Sequence, residues 1–563
     1  MVGNQERNLE HRKNKACKEL KRKMPNGINE LYLKLAADFI GLEEGSFKNN
    51  HQHKKFTMFT YLLAFVVGFG LAYHYVMEWK RARRSSGRSL PGPWGLPFFG
   101  NILEFGLYPH LTFNKWKQKY GAIYQIHLGI KPWIVINDAS MAHELMVKRG
   151  SSCSGRDSDI GTAAFIHPEN RGIIISSGKY FGKVRRLTFI YSAQQGLGMK
   201  SLEIYTPFIE KESLELVRSL YNVTLDPAIR FRGFTLNIML TVLYGKRYAS
   251  PEDPTFVKLD NLIVECVDLV GFHIMLNIIP ILRYLPLSFN KKVKATVDEY
   301  YDILRKLYKN YLEEEQTGVA QPCMANYVKN NLDKAELDEL DLHHLFLDLI
   351  TAGVETTATT LNWIVAILAS QPEIQKRAHT ELDSIIGCNR LPLLSDKPNL
   401  PYTHAILREA TRFRPAGGWI SIPHHTTCDN IFQGYHIPNN TGIVANVYAI
   451  NLDPMRYVDP DRFDPDRFVG LKASSAALAN GPIEARDHVT FGWGRRLCPG
   501  MHLADTDGFL ALAKILWCYR IELDKGGKVP DINDWQHGFG LRPKPFSVKF
   551  VPRHELVKST LFA

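Results

Sequence analysis

The chain has 563 residues, of which 45% are hydrophobic and 22% charged, with 69 Lys and Arg against 57 Asp and Glu. This is an ordinary globular composition, and it excludes a disordered chain, a collagen and a small disulfide scaffold. Most of the +12 charge sits in the first 88 residues, which hold 17 basic against eight acidic side chains. A nucleic-acid binder spreads basic charge over its folded body, so this placement points to a membrane flank and no nucleic-acid partner.

Residues 1–55 form a basic extension without strong patterning and read as a solvated tail. Residues 56–77 contain no Asp, Glu, Lys or Arg. As a helix they would span roughly 33 Å, enough for the hydrocarbon core of a bilayer, and a transmembrane anchor is expected. Lys54 and Lys55 precede the stretch, whereas Lys80, Arg81, Arg83, Arg84 and Arg88 follow it. That imbalance puts the C-terminal side in the cytoplasm. Residues 78–100 read as a basic, proline-rich linker, stiffened by Pro91, Pro93 and Pro97. Residues 101–563 show no repeat or second linker and are expected to form one domain.

The body is helical by pattern, with helices expected at 111–119, 139–149, 201–220, 255–270, 291–316, 342–370, 372–386, 402–412 and 501–517. Strand-like runs occur at 122–128, 132–136, 431–437, 442–446 and near 546–551. The fold class is therefore mainly α with a small β-rich subdomain. The eight cysteines are scattered and form no C-x-x-C pair, which argues against a zinc ribbon or a ferredoxin-type cluster.

One cysteine has unusual neighbours. Residues 491–500 read FGWGRRLCPG, with Phe491, Gly494, Arg496, Cys498 and Gly500 at fixed offsets before an apolar helix. Helix N-terminal amides and Arg496 favour a thiolate at Cys498, and a thiolate suits a soft metal centre. The spacing resembles the haem-binding loop Phe-x-x-Gly-x-Arg-x-Cys-x-Gly of the cytochromes P-450. That resemblance implies the P-450 fold, with haem b as cofactor and Cys498 as the axial iron ligand. It also implies that Phe491 shields the sulfur, that Arg496 pairs with a haem propionate, and that Gly500 lets the backbone approach.

Residues 342–370 are an apolar helix pattern interrupted by Ala352, Gly353, Glu355, Thr356 and Thr357. Ala352 and Gly353 leave room for a small ligand, and the Thr356 hydroxyl can bond the Ala352 carbonyl four residues back. The segment is similar to the family's oxygen-binding helix. The resemblance gives Thr356 the role of steadying oxygen and Glu355 that of delivering protons through water.

Glu409 and Arg412 share a helix face, and Phe463 to Phe468 follow before the cysteine loop. By resemblance, Glu409, Arg412 and Arg467 form a buried network supporting that loop, with Asp466 in place of the usual Glu. Arg185 matches a propionate-binding Arg, although Phe181 replaces the Trp that usually precedes it. His424 matches a propionate-contacting His. The P-450 resemblance covers roughly residues 90–553.

The implied activity is a haem-thiolate monooxygenase that takes O2 and a lipophilic small molecule: a steroid, terpenoid, fatty acyl chain or xenobiotic. The chain shows no complete G-x-G-x-x-G fingerprint and has no room for a fused flavin domain. Electrons are therefore expected from a separate NADPH-cytochrome P-450 reductase, docking near Lys183, Arg186 and Arg495, with a cytochrome b-type donor as a second source. The expected location is the endoplasmic reticulum membrane of a fungus. Two other readings are a haem-thiolate isomerase or dehydratase of peroxides, and a membrane haem sensor. By family position, Phe165, Phe272, Ala352, Trp419, Ile420 and Phe539 are expected to line the substrate site.

Overall fold

The computed structural model describes residues 88–563 except 97–98, 107, 130, 157–166, 190–196, 251, 273–287, 525 and 537–539. The chain divides into two compact units, Met1–Tyr73 and His74–Ala563, and all described residues belong to the second. The expected extension and anchor lie outside the described residues. Among those described, no helix is long and apolar enough to cross a membrane.

The longer helices are α1 (Pro109–Tyr120), α2 (Gly178–Phe189), α3 (Met199–Ser219), α4 (Ala228–Tyr244), α5 (Pro254–Phe272), α6 (Ser288–Gln316), α7 (Glu339–Ser370), α8 (Pro372–Ile385), α9 (Pro401–Phe413) and α10 (Met501–Cys518). Pro109, Pro372 and Pro401 each open a helix, where a fixed φ helps and the missing N–H costs nothing. α7 starts three residues before the expected position because Asp338 and Asp341 close a reciprocal capping box at its N-terminus. α4 was not expected. Every residue from Phe234 to Tyr244 is buried, Asn237 and two threonines included, so no amphipathic stripe betrays it.

α7 packs against α4, α5, α6, α9 and α10, which places it through the middle of the helical core. Gly353 makes the α4 contact possible, since a Cβ there would stand 2.5 Å from Met239 Sδ. The room that the sequence assigned to a ligand at Gly353 is occupied by this methionine.

The strands are β1 (Ile123–Leu128), β2 (Lys131–Ile136), β3 (Thr224–Leu225), β4 (His424–His425), β5 (Asn430–Phe432), β6 (Tyr435–Ile437), β7 (Gly442–Ala445), β8 (Tyr519–Leu523) and β9 (Val548–Pro552). They form a four-stranded sheet in the order β1-β2-β7-β4, a three-stranded sheet β3-β9-β8 and the hairpin β5-β6. The run expected at 431–437 is split by a turn in which Gln433 (φ 50°) and Gly434 (φ 80°) are both left-handed, as a tight hairpin requires. β2 and β7 are parallel, with Ile134 opposite Ile443.

The proline-rich segment is stitched to this sheet over part of its length. Gln125 N–H donates to the Pro91 carbonyl (2.8 Å), and Asn101 N–H donates to the His127 carbonyl (2.7 Å). A Cβ on Gly92 would fall 1.9 Å from the Gln125 carbonyl oxygen, so only glycine allows this approach.

Candidate functional site

The cysteine loop is shaped by its backbone. Gly492 (φ 82°) and Gly494 (φ 49°) take left-handed conformations, and a Cβ on Gly494 would lie 2.5 Å from the Met146 carbonyl oxygen. Cys498 N–H donates to the Phe491 carbonyl (2.9 Å), closing the loop. Gly500 caps α10, and its N–H reaches the Cys498 sulfur. Phe491 and Cys498 pack together against Ala476, Ala479, Leu497 and Met501.

Burial raises the Cys498 thiol pKa, while the Gly500 amide and the Arg185 charge oppose that rise. The cation acting on the sulfur is thus Arg185, where the sequence suggested Arg496. Arg185 comes from α2 and donates to the Leu497 carbonyl. Arg496 points the other way. It donates to the carbonyls of Ser154 (2.9 Å), Ile173 (3.3 Å) and Ser176 (2.5 Å), with its guanidinium 3.5 Å from the Phe181 ring centroid. Phe181, standing where a Trp was expected, is therefore a platform for Arg496.

Arg156, which sequence reasoning missed, lies beside it and donates to the carbonyls of Pro423 (2.6 Å) and Ile174 (3.0 Å). Burial lowers Arg496 to about 8, helped by the charges of Arg156 and Arg185, and burial alone lowers Arg156 to about 9. Among the described residues, neither has a carboxylate at ion-pair distance. His424 is buried next to them, held neutral by burial and by the neighbouring arginines, and its Nδ1–H donates to the Cys153 carbonyl (2.9 Å). The result is a half-buried patch of positive charge that lacks an anion among the described residues.

On α7, Thr356 Oγ1–H donates to the Ala352 carbonyl (2.8 Å). Ala352 and Thr356 are exposed although most of the helix around them is buried, so the two form an open stripe inside the fold. Glu355 is buried, and its Oε1 accepts from Arg542 Nε and from Thr359 Oγ1 (3.3 Å). Arg542 also pairs with Asp268 (3.1 Å). The Glu355 carboxylate is thus tied to a cation that sequence spacing gave no means to find.

The framework residues come together. Arg412 and Glu409 are fully buried and bonded twice, both at 2.7 Å. Arg412 also donates to the carbonyls of Asn451 (2.8 Å) and Pro460 (2.9 Å), and Arg467 Nε reaches Glu409 (3.3 Å). Asn451 carries the contact onward. Its amide donates to the Arg412 carbonyl (3.2 Å) and Thr490 Oγ1 (3.1 Å), and its oxygen accepts from Val489 N–H (3.0 Å). Val489 and Thr490 lead directly into the cysteine loop. Asp466 stays outside this network, in an exposed bidentate pair with Arg377.

Of the expected lining residues, Ala352 lies on the open stripe of α7. Trp419 is buried in an aromatic box with His110, Tyr448 and Trp535, its Nε1–H without a partner among the described residues. Ile420 packs on the cluster around Phe113, Trp116 and Tyr124. Phe272 closes α5, whereas Phe165 and Phe539 lie outside the described residues.

Comparison with known proteins agrees with this arrangement. The Cytochrome P450 family profile matches residues 90–550. Cytochrome P450 monooxygenase virE of Hypocrea virens is 33% identical over 504 residues, covering 87% of this chain and 90% of that protein. Cytochrome P450 monooxygenase 58 of Postia placenta is 29% identical, covering 85% and 91%. A zebrafish cytochrome P450 structure with progesterone superposes with a TM-score of 0.68 at 24% identity, over 79% of this chain and 99% of that one. The chain belongs to the cytochrome P450 family: it is a haem-thiolate monooxygenase acting on a small molecule with O2 and a redox partner.

The residues fit the family's haem. A half-buried patch of cations with no carboxylate partner among the described residues suits the two carboxylates of a haem, since charge withdrawn from water is stable only when paired. A lone loop cysteine at a helix N-terminus suits an axial thiolate. An open stripe on a buried helix leaves space for oxygen and substrate.

Proposed function

We propose that this chain is a membrane-anchored hydroxylase of lipophilic small molecules (steroids, terpenoids, fatty acyl chains or xenobiotics). Residues 56–77 serve as its single span, and the catalytic domain faces the cytoplasm from the endoplasmic reticulum. Its electrons come from NADPH-cytochrome P450 reductase, with a cytochrome b-type protein as a second donor. The observation that carries this reading is the Cys498 loop, closed against α10 beside the anion-poor patch of Arg156 and Arg496. Of the cations expected to receive the reductase, Arg186 and Arg495 are exposed, and Lys183 is paired with Glu336.

When bound, the haem supplies an iron that activates O2, so that one oxygen atom enters the substrate and the other leaves as water. The Cys498 thiolate would hold the iron and supply it with electron density. Arg496, Arg156 and Arg185 would hold the haem carboxylates by charge-assisted hydrogen bonds, and the neutral His424 ring would line the same edge. Gly500, with open space where a Cβ would stand, would leave room for the ring. In the geometry described, the Thr356 proton is held by the Ala352 carbonyl, leaving the hydroxyl lone pairs on the open stripe. Arg542 and Thr359 hold Glu355 Oε1, and Oε2 has no partner among the described residues, so Oε2 is the oxygen left to carry a proton.

The test is reconstitution of the full chain in membranes with reductase, NADPH and a panel of lipophilic substrates. Hydroxylated product that depends on NADPH, together with a thiolate-type carbon monoxide band that Cys498→Ala abolishes, is expected. Product formed without NADPH would instead mean rearrangement of a peroxide. A normal band in the Cys498→Ala protein would refute the ligand assignment.

A further inference from the structure

The segment from Gly172 to Ser177 lies between α7 and the arginine patch and is bonded on both edges. Toward α7, Ile173 N–H and Ile174 N–H both donate to one oxygen of Asp348, at 2.7 and 3.0 Å. Toward the patch, the Ile173 and Ser176 carbonyls accept from Arg496, the Ile174 carbonyl accepts from Arg156, and Ser177 Oγ accepts from Arg156 N–H (2.7 Å). The Ile173–Ile174 peptide group therefore has a carboxylate on its N–H and a guanidinium on its oxygen. Both charges polarise that peptide in the same sense, and hydrogen bonds in such a chain reinforce one another.

Asp348 is itself firmly placed. It is 2% exposed, and its second oxygen accepts from His167 Nε2–H (2.8 Å). His167 Nδ1 lies 3.2 Å from His344 Nδ1, which also meets the Tyr301 hydroxyl. All four side chains are buried. Gly172 (φ 86°) gives the carboxylate its room, because a Cβ there would lie 2.5 Å from the Asp348 oxygen. The network stands one helical turn before Ala352, so the same helix that forms the open stripe also fixes the arginines.

We propose that Asp348 is a positioning residue for haem anchoring: through the Ile173–Ile174 peptide it sets the orientation of Arg496, and by fixing Ile174, whose carbonyl accepts from Arg156, that of Arg156, with His167, His344 and Tyr301 fixing its own. This rests on the haem reading above. Asp348 touches neither haem nor substrate. Its effect is to pre-order the two cations, so that the haem carboxylates meet donors already aimed at them.

The experiment compares the full-length wild-type holoenzyme with Asp348→Asn, His167→Gln and, as a control on the same helix, Thr351→Val, which loses only the Tyr300 bond. The readouts are the rate of haem transfer to excess apomyoglobin and the propionate bending bands in resonance Raman spectra, with thermal unfolding as a check on general stability. Asp348→Asn is expected to speed haem loss about tenfold, the scale of one lost charge-assisted hydrogen bond, and to shift the propionate bands. His167→Gln should do the same to a smaller degree, and it decides the matter if Asp348→Asn fails to fold. Thr351→Val should leave both readouts unchanged. Unchanged propionate bands and haem loss in the first two variants, or equal changes in Thr351→Val, would overturn the proposal. A wild-type chain that binds no haem would instead sink the haem reading itself.

Discussion

Met239 of α4 sits directly over Gly353 of α7, so closely that a single added methyl on the glycine would stand 2.5 Å from the sulfur. Gly353→Ala should therefore cost about 1–3 kcal/mol through overpacking. Combined with Met239→Ala, the two losses should be markedly less than additive, since the second change removes the clash. Chemical unfolding of the four proteins in a double-mutant cycle checks this; strict additivity would mean that the helices separate freely.

The buried pair and the surface pair near Phe463 should behave oppositely. Arg412→Ala leaves Glu409 charged, buried and short of its main partner, and should cost about 3–5 kcal/mol. Asp466→Ala removes only an exposed partner of Arg377 and should cost under about 1 kcal/mol. Thermal unfolding gives both values. Haem content should fall sharply in the first variant and hold in the second, because only Arg412 connects through Asn451 to Val489 and Thr490.

Thr356→Ala removes the hydroxyl from the open stripe but leaves the helix intact. Product per NADPH consumed should drop several-fold, with hydrogen peroxide released instead, while NADPH oxidation continues. Peroxide and product assays in one reaction test this. Unchanged coupling would remove Thr356 from the oxygen chemistry.

Acid should destabilise the folded chain through its buried histidines. Burial holds His110 and His344 down to about 3 and His488 to about 4. The unfolded chain takes up these protons near 6.5, so the stability involved is full above that pH and is lost as pH falls toward 3–4. By pH 5 each group costs about 2 kcal/mol. The thermal midpoint should fall steeply between pH 7 and 5, and the fall should be smaller in His110→Phe.

Legibility followed sequence distance. The cysteine loop, the Ala352 to Thr357 interruption and the Glu409–Arg412 pair are local patterns, and the resemblance they carry implied their chemistry. Arg542 and Asp348 could not be read in this way. Their partners, Glu355 and the Ile173–Ile174 backbone, lie far along the chain, and an isolated Arg or Asp carries no signal of its own. Arg156 was missed for the same reason. α4 was hidden because burial of its whole Phe234–Tyr244 run leaves no amphipathic stripe, and the box that Trp419 forms with His110 and Trp535 leaves no mark on its neighbours in sequence.

The parallel pairing of Ile134 with Ile443 joins strands separated by about 300 residues. At a typical elongation rate of about 5–20 residues per second, β2 waits roughly 15–60 s on the ribosome before its neighbour is made. During that time the edge that will receive β7 is uncovered, and the sheet cannot close until most of the polypeptide has emerged. Nascent chains truncated before β7 should therefore depend on chaperones and be prone to aggregate, and premature termination late in translation would yield a product that cannot complete its sheet.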